Sequence, residues 1–262
     1  MTESYHVYAL RYAYREAKRQ DHFINAVSDP DAPMPMDYFV WVAQSPERTI
    51  LIDTGFKEDV GVRRRRTYLR TPSEALRLGG IDPASIEDII VTHLHYDHAG
   101  TLDAFPNARV HLQEDELDFV TGRGNERTRG AFEVDDVVEA VRGVYGGRVK
   151  LHKGSAGPWP GLSMHLVGGH TPGTQVVRVN TQRGWIVLAS DASHFYENME
   201  SGNSFRGTHD VERNVAGFET LRAMADSPAH VVPGHDPEVL TRYQPVSESL
   251  KGIAVRLDQP LA

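Results

Sequence analysis

Cysteine is absent from this chain of 262 residues. Its absence excludes disulfide frameworks, thiolate metal sites and cysteine nucleophiles. A metal site in this protein would have to be built from His, Asp and Glu side chains, and the sequence contains 13 histidines.

Positive charge is also scarce. Lys and Arg number 28 against 36 Asp and Glu, so the formal net charge is −8 with histidine counted as neutral. A general nucleic-acid-binding protein needs a net basic surface to contact phosphates. We therefore expect no nucleic-acid partner.

Long apolar segments are missing as well. An apolar run such as residues 185–190 is far shorter than the roughly 18 residues needed to span a bilayer. The first residues are polar and show no basic segment followed by an apolar one, as a secretory signal would. We therefore expect no membrane association and a cytoplasmic location.

Short segments rich in β-branched and aromatic residues predict strands, and helical spacing appears between some of them. The predicted strands are 5–10, 38–42, 49–53, 89–92, 109–112, 162–167, 175–179 and 185–189, and the predicted helices are 73–78, 134–144 and 211–225. This mixture favours a layered α/β fold. Repeats and linker-like tracts are not visible, so residues 1–262 are expected to form a single domain.

Two segments lack periodicity. Residues 20–37 carry three prolines and predict a long loop, which could be a surface loop, a lid or a dimer contact. Residues 63–66 are four successive arginines, which we interpret as a solvated helix face or loop rather than a phosphate site.

Potential metal ligands are concentrated after the apolar run 89–91. His93, His95, Asp97 and His98 lie within six residues. Imidazole and carboxylate ligands suit zinc and comparable divalent ions. His93 and His95 project to the same side of an extended turn, whereas Asp97 and His98 leave that alternation where a helix begins. This arrangement predicts two metal sites.

Three further candidate ligands follow apolar runs downstream. His170 lies in the sequence Gly-Gly-His-Thr-Pro-Gly, Asp191 follows the predicted strand 185–189, and His235 lies in Pro-Gly-His-Asp. In each case an apolar run leads one His or Asp into a turn, which strengthens the prediction of a dinuclear site.

The motif His93-x-His95-x-Asp97-His98, followed by His170, Asp191 and His235, resembles the metallo-β-lactamase superfamily. The resemblance implies an αββα sandwich, with two mixed sheets packed face to face, helices outside and metals at one sheet edge. It also implies that His93, His95 and His170 bind the first metal, that Asp97, His98 and His235 bind the second, and that Asp191 bridges both. Asp53, in Leu-Ile-Asp-Thr-Gly, would orient a ligand.

Within that superfamily, the absence of cysteine separates this chain from lactamases that use a cysteine ligand. Residues 94–100, 169–173 and 190–193 most closely resemble the N-acyl homoserine lactonase family of quorum-quenching enzymes. The resemblance implies a hydrolase of carboxylic esters that opens a small lactone by attack of a metal-bridging hydroxide. Asp97 would pass a proton to the leaving alkoxide. It further implies two divalent ions, with zinc expected and Co, Mn or Fe as alternatives, and it is compatible with a homodimer.

One position departs from the family pattern. Lactonases of this kind commonly have a tyrosine three residues after the bridging aspartate, whereas this chain has His194 there and Tyr196 two residues later. Either side chain could donate a hydrogen bond to the substrate carbonyl. The substitution leaves open another lactone or a cyclic amide as the substrate. Two further alternatives are a hydrolase of a thioester, as in glyoxalase II, or of a phosphodiester, and a metal-dependent sensor without turnover.

Overall fold

The computed structural model describes residues 2–262. Its strands are β1 (His6–Arg15), β2 (Met36–Gln44), β3 (Thr49–Ile52), β4 (Thr67–Tyr68), β5 (Asp88–Ile90), β6 (Arg109–Gln113), β7 (Val149–His152), β8 (Ala156–Trp159), β9 (Leu162–Leu166), β10 (Gln175–Thr181), β11 (Gly184–Ser190), β12 (Val231–Pro233), β13 (Tyr243–Pro245) and β14 (Ala254–Leu261). Its helices are α1 (Glu58–Arg63), α2 (Pro72–Leu78), α3 (Tyr96–Ala99), α4 (Glu114–Thr121), α5 (Val134–Tyr145), α6 (Tyr196–Ser201), α7 (Val211–Met224) and α8 (Val239–Arg242).

The strands form two mixed sheets. The larger has the order β13-β14-β1-β2-β3-β5-β6-β7, with β4 pairing to β1, and the smaller has the order β12-β11-β10-β9-β8. In the larger sheet β3, β5, β6 and β7 are parallel, and the pairs among β14, β1, β2 and β3 are antiparallel. In the smaller sheet only the pair β11–β12 is parallel among the described strands.

Alternation along the central strands divides the core into two layers. In β1, Val7 and Ala9 join a cluster shared with the smaller sheet, whereas Tyr8 and Leu10 join a cluster shared with the helices on the other face. Because successive side chains of a strand point to opposite faces, a strand buried on both faces is apolar throughout. The larger sheet is therefore covered by the smaller sheet on one face and by helices on the other.

Local signals explain where the outer helices begin. The Thr71 hydroxyl accepts a hydrogen bond from the backbone N–H of Glu74, and the Glu74 carboxylate accepts one from the N–H of Thr71, while Pro72 occupies the first turn. The carboxylate of Asp210 likewise accepts the N–H of Arg213 at the start of α7. Within α7, Phe218 and Leu221 are fully buried at helical spacing.

The fold expected from the sequence is confirmed. Each of the eight predicted strands and three predicted helices matches an observed element, and the layers are those of the αββα sandwich. The largest extension is β1, which continues to Arg15 instead of ending near residue 10. The C-terminal strands β13 and β14 were not predicted; they complete one edge of the larger sheet by pairing with each other and with β1.

The segment 20–37 is largely irregular as predicted, apart from a single 3-10 turn at Arg19–His22 and the first residues of β2. It is nevertheless firmly attached, because the N–H of Ile24 bonds the carbonyl of Ser204 and the N–H of Asn25 bonds the side chain of Asn203. The loop is therefore hydrogen-bonded to the segment that follows α6. Among the described residues, no helix combines the length and apolar character required to cross a bilayer.

Candidate metal centre

The seven predicted ligands meet at one end of the two packed sheets. They lie on the turn after β5 and in α3, on the turn between β9 and β10, and at the ends of β11 and β12: His93, His95, Asp97, His98, His170, Asp191 and His235. All seven are buried. The parallel pairing of β11 with β12 places Asp191 and His235 side by side. A Cβ atom at Gly234 would lie 2.6 Å from the carbonyl oxygen of Ser190, so only glycine allows these two turns to approach so closely.

One group consists of His93, His95 and His170. Nδ1 of His95 lies 3.0 Å from Nε2 of His93 and 2.8 Å from Nε2 of His170. Oδ2 of Asp191 lies 3.2 Å from Nε2 of His170 and 3.7 Å from Nε2 of His93. Ligand atoms about 2 Å from a tetrahedral ion stand roughly 3.3 Å from each other, which is close to these separations.

A second group consists of Asp97, His98 and His235. Nε2 of His98 and Nε2 of His235 each lie 3.8 Å from a carboxylate oxygen of Asp97. Oδ1 of Asp191 lies 3.3 Å from the same His98 nitrogen and 2.9 Å from that of His235. Asp191 therefore directs one oxygen to each group.

Burial favours the neutral form of two imidazoles of the first group, His93 and His95. It lowers the pKa of His93 and His95 well below the usual value, and neighbouring histidines lower it further. Burial raises the pKa of Asp191, but His235, His194 and His98 outweigh this effect and hold it well below the usual value. Neutral imidazole and ionised carboxylate are the forms that bind divalent cations.

Asp53 orients His98 by accepting a hydrogen bond from Nδ1, the ring nitrogen that does not face Asp191. Its Oδ2 accepts a hydrogen bond from Nδ1 of His98 at 2.7 Å, and its Oδ1 accepts the backbone N–H of Thr92 at 2.7 Å. The Thr92 hydroxyl bonds the same carboxylate at 2.8 Å. Asp53 adopts φ +61°, a conformation that Asp and Asn tolerate better than most residues. The backbone carbonyl of Asp37 similarly accepts Nδ1–H of His235 at 2.8 Å.

Glu116 links two of the ligand-bearing turns, and no sequence motif pointed to it. Its Oε1 accepts the backbone N–H of Leu94 at 2.9 Å, and its Oε2 accepts the hydroxyl of Thr171. The side chain is fully buried, and burial raises the pKa of its carboxyl group. A Cβ at Gly173 would lie 2.3 Å from the Glu116 backbone N, so α4 is packed directly against the turn that carries His170.

Some buried polar atoms of the cluster have no hydrogen-bond partner in the described part of the chain, as expected if they bind cations. Nε2 of His98 and Oδ1 of Asp191 are buried, lie 3.3 Å apart, and form no well-aligned hydrogen bond among residues 2–262. Unpaired buried polar atoms are costly unless a ligand satisfies them. Two groups that share no residue, His93–His95–His170–Asp191 and Asp97–His98–His235, each have donor atoms close enough to hold one ion.

The cluster lies at the bottom of a cleft of about 180 Å³. Besides five of the candidate ligands, the cleft is lined by Arg15, Met36, Tyr38, Arg66, Tyr96, Ala131, His194, Arg206 and Gly207. The hydroxyl of Tyr96 bonds that of Tyr38 at 3.2 Å and accepts Nε–H of Arg66 at 3.0 Å.

Arg66 thus corrects part of our interpretation of the arginine run. Arg63 and Arg64 bind Glu133 on the outside, as expected for a solvated face, whereas the guanidinium of Arg66 turns inward along the cleft. Arg65 adopts φ +57° between them, and this left-handed turn reverses the chain direction before β4.

The two candidates for the carbonyl-binding residue lie in different surroundings. Nε2 of His194 is 2.9 Å from Oδ2 of Asp191, and its ring stacks on Phe205 with centroids 3.5 Å apart. The structure does not bring Tyr196 to the cluster: its ring packs under the guanidinium of Arg242 and faces a separate depression beside residues 33–35. Tyr196 is the first residue of α6, where the chain has already turned away from the cleft.

Comparison with known families agrees with this geometry. The family model of the metallo-beta-lactamase superfamily matches residues 34–235. The chain belongs to this superfamily. The match spans β2 to the turn that carries His235, so it includes all seven candidate ligands.

Relatives within the superfamily include an N-acyl homoserine lactonase of Bacillus cereus, which is 26% identical over 233 residues covering 82% of this chain and 87% of the relative. The N-acyl homoserine lactonase AttM of Azorhizobium caulinodans is 31% identical over 186 residues, 63% of this chain and 64% of the relative. Among solved structures, a quorum-quenching N-acyl homoserine lactone lactonase superposes with a TM-score of 0.75 at 22% identity, over 90% of this chain and 93% of that one. The last comparison shows a shared fold.

Proposed function

We propose that this superfamily member is a dinuclear metal-dependent hydrolase that opens the ring of a small lactone, an N-acyl homoserine lactone or a related cyclic ester. The proposal is supported chiefly by Asp191, because its two carboxylate oxygens face two different groups of ligands. The proposed ligands are His93, His95 and His170 for one ion, and Asp97, His98 and His235 for the other, with Asp191 shared. Zinc suits this donor set, and Co, Mn and Fe are alternatives.

Two divalent ions held there would polarise an ester carbonyl and lower the pKa of water toward ~7, so that a nucleophile is available at neutral pH. Opening a lactone adds one water molecule across the acyl C–O bond and yields a carboxylate, an alcohol and a proton. The chain itself has to position the substrate and move that proton.

Asp97 is placed for proton transfer. Its carboxylate lines the cleft, while its backbone carbonyl accepts the hydroxyl of Tyr12 at 3.1 Å, which fixes the start of α3. We propose that this carboxylate carries the proton to the alkoxide that leaves when the ring opens.

His194 is the proposed contact to the carbonyl oxygen. It lines the cleft beside Asp191, and stacking on Phe205 holds its ring in one orientation. Its Nε2 lies 2.9 Å from Oδ2 of Asp191; with that oxygen bound to a metal ion, the Nε2–H would donate to the carbonyl oxygen instead, as the tyrosine hydroxyl does in the related lactonases. Tyr196 is not placed to contact the carbonyl oxygen, because its side chain faces another depression.

The direct test combines metal analysis with a substrate panel. Protein loaded with Zn, Co or Mn should bind about two ions per chain and release acid from homoserine lactones or simple γ-lactones. Cleavage of thioesters, with every lactone left intact, would overturn the lactone assignment in favour of a thioesterase. Less than one ion per chain after reconstitution, with no activity, would favour a sensor.

A further inference from the structure

Three arginines line the cleft above the metal ligands, although the protein as a whole is acidic. They come from separate parts of the chain: Arg15 ends β1, Arg66 follows α1, and Arg206 lies between α6 and α7. Three distant segments therefore each contribute an arginine to the lining of the same small cavity; Arg15 and Arg66 are half-buried and Arg206 is exposed.

These arginines have no carboxylate partner. Within residues 2–262, Arg15 forms neither a hydrogen bond nor an ion pair through its side chain, and its Nε is buried without an acceptor. Arg206 reaches only the backbone carbonyl of Phe23, at 3.4 Å. Arg66 donates to the Tyr96 hydroxyl at 3.0 Å and to the Arg64 carbonyl at 2.8 Å.

Ten of the other twenty arginines form an ion pair with a carboxylate. Arg11 bonds Asp37, Arg109 bonds Asp88, and Arg148 bonds Glu139. Arg15, Arg66 and Arg206 differ from the other unpaired arginines in that all three line one cleft.

The acidic groups that line the cleft do not balance these cations. They are Asp97 and Asp191, and both belong to the proposed ligand set, so bound divalent ions would offset their charge. The cleft would then be strongly cationic, and guanidinium groups bind carboxylates through paired, charge-assisted hydrogen bonds.

We infer that the substrate carries a carboxylate group in addition to the ester that is cleaved, and that Arg15, Arg66 and Arg206 bind this carboxylate. The inference rests on the proposed lactone-opening function and narrows its substrate class. A neutral N-acyl homoserine lactone offers no charged partner for these side chains. A carboxylate-bearing lactone would supply one, and its product would be a dicarboxylate.

The test uses two lactones that differ only in charge: γ-butyrolactone-γ-carboxylate and its carboxamide. Values of kcat/KM are measured on metal-loaded wild type, R15Q, R206Q, R66Q and R66K. R65Q is the matched control, because Arg65 belongs to the same arginine run but is exposed and does not line the cleft. Arg15 and Arg206 are the most informative sites, since neither is tied into the protein by a strong hydrogen bond.

The wild type should prefer the carboxylate by about tenfold or more, and R15Q and R206Q should each reduce this ratio about tenfold, in line with the loss of a charged hydrogen bond. R66K should retain more of the preference than R66Q, and R65Q should keep the wild-type ratio. Equal rates on the two lactones, or a ratio that no arginine substitution changes, would overturn the inference while leaving lactone hydrolysis intact.

A binding measurement separates this inference from the proposed function. Hydroxyglutarate, the dicarboxylate product, and its monocarboxamide are titrated calorimetrically into the same proteins. Tighter binding of the dicarboxylate that is weakened in R15Q would support the arginine site even if neither lactone were opened. Equal affinities for the two compounds would contradict it.

Discussion

Asp53 and His98 form a buried pair in which Oδ2 of Asp53 accepts the Nδ1–H of His98 at 2.7 Å. The bond fixes the tautomer of His98 and turns its Nε2 toward Asp191. In the proposed metal site, Asp53 would therefore act through His98, which is the role that the family resemblance implies for it.

Replacing Asp53 with Asn should weaken metal binding and lactone hydrolysis by about tenfold to a hundredfold, because partners of metal-bound histidines have effects of this size. Asn tolerates the left-handed backbone at this position, so the fold should persist. The metal dissociation constant is measured by competition with a chelator. D88N is the matched control. Asp88 also bonds a histidine, His111 of β6, at 3.0 Å, but neither residue is a candidate ligand. D88N should therefore leave metal affinity unchanged.

Loss of the Glu116 side chain should destabilise the protein. In E116A the buried N–H of Leu94 loses its acceptor, which costs about 1–3 kcal/mol, and the turn carrying His170 is released from α4. The free energy of unfolding is measured by urea titration. Glu114 begins the same helix but lies at the surface, 3.8 Å from Lys153, so E114A should cost less than about 0.5 kcal/mol. Equal losses in the two variants would contradict the linking role of Glu116.

Substitution of His194 should reduce kcat more than substitution of Tyr196. If His194 donates a hydrogen bond to the carbonyl oxygen, H194A should lower kcat about 10²- to 10³-fold, as removal of such donors does. Y196F should have little effect, because that ring lies outside the cleft. H194Y introduces the hydroxyl common in related lactonases and should recover part of the rate. A larger loss of kcat in Y196F than in H194A would reverse the assignment.

Asp136 should make the protein less stable as the pH rises. Burial, with help from Glu133, raises the pKa of this carboxyl group from 3.8 to about 7 in the folded protein. Between about pH 4 and pH 7 the folded state holds a proton that the unfolded state has lost, so stability falls across this window and is then constant.

The D136N variant should remove this dependence and be about 1–2 kcal/mol more stable than the wild type at pH 8, with a much smaller difference at pH 4. D135N controls for the loss of a negative charge at the start of α5, because Asp135 is the exposed neighbour. Urea unfolding at both pH values provides the measurement. A D136N variant whose advantage does not grow between pH 4 and pH 8 would contradict the raised pKa.

The candidate ligand cluster can be anticipated because each turn that carries a member follows an apolar strand. His170, Asp191 and His235 are far apart in sequence, but strands that end at the same sheet edge bring their following turns together. Runs of β-branched and aromatic residues similarly predict the central strands, because β1 and β2 are buried on both faces and contribute to two clusters.

Other features depend on tertiary contacts that no local pattern encodes. Glu116 lies in the first turn of an ordinary amphipathic helix, and only the packing of α4 against the His170 turn shows its role. Arg66 has the same local surroundings as its three neighbours in sequence, yet the left-handed Arg65 directs it into the cleft. Only the structure distinguishes His194 from Tyr196, because α6 begins at Tyr196 and leads that residue away from the cleft.

The central claim is that this cluster holds two metal ions and opens a lactone ring. The most direct measurement follows a γ-lactone by mass spectrometry during incubation with reconstituted wild type, with chelator-treated protein and with D191N. We predict that the hydroxy acid, heavier by one water, forms with about two ions bound per chain, and that its formation stops in the other two samples. A reconstituted wild type that binds two ions but leaves every lactone intact, or hydroxy acid formed equally by D191N, would contradict the account.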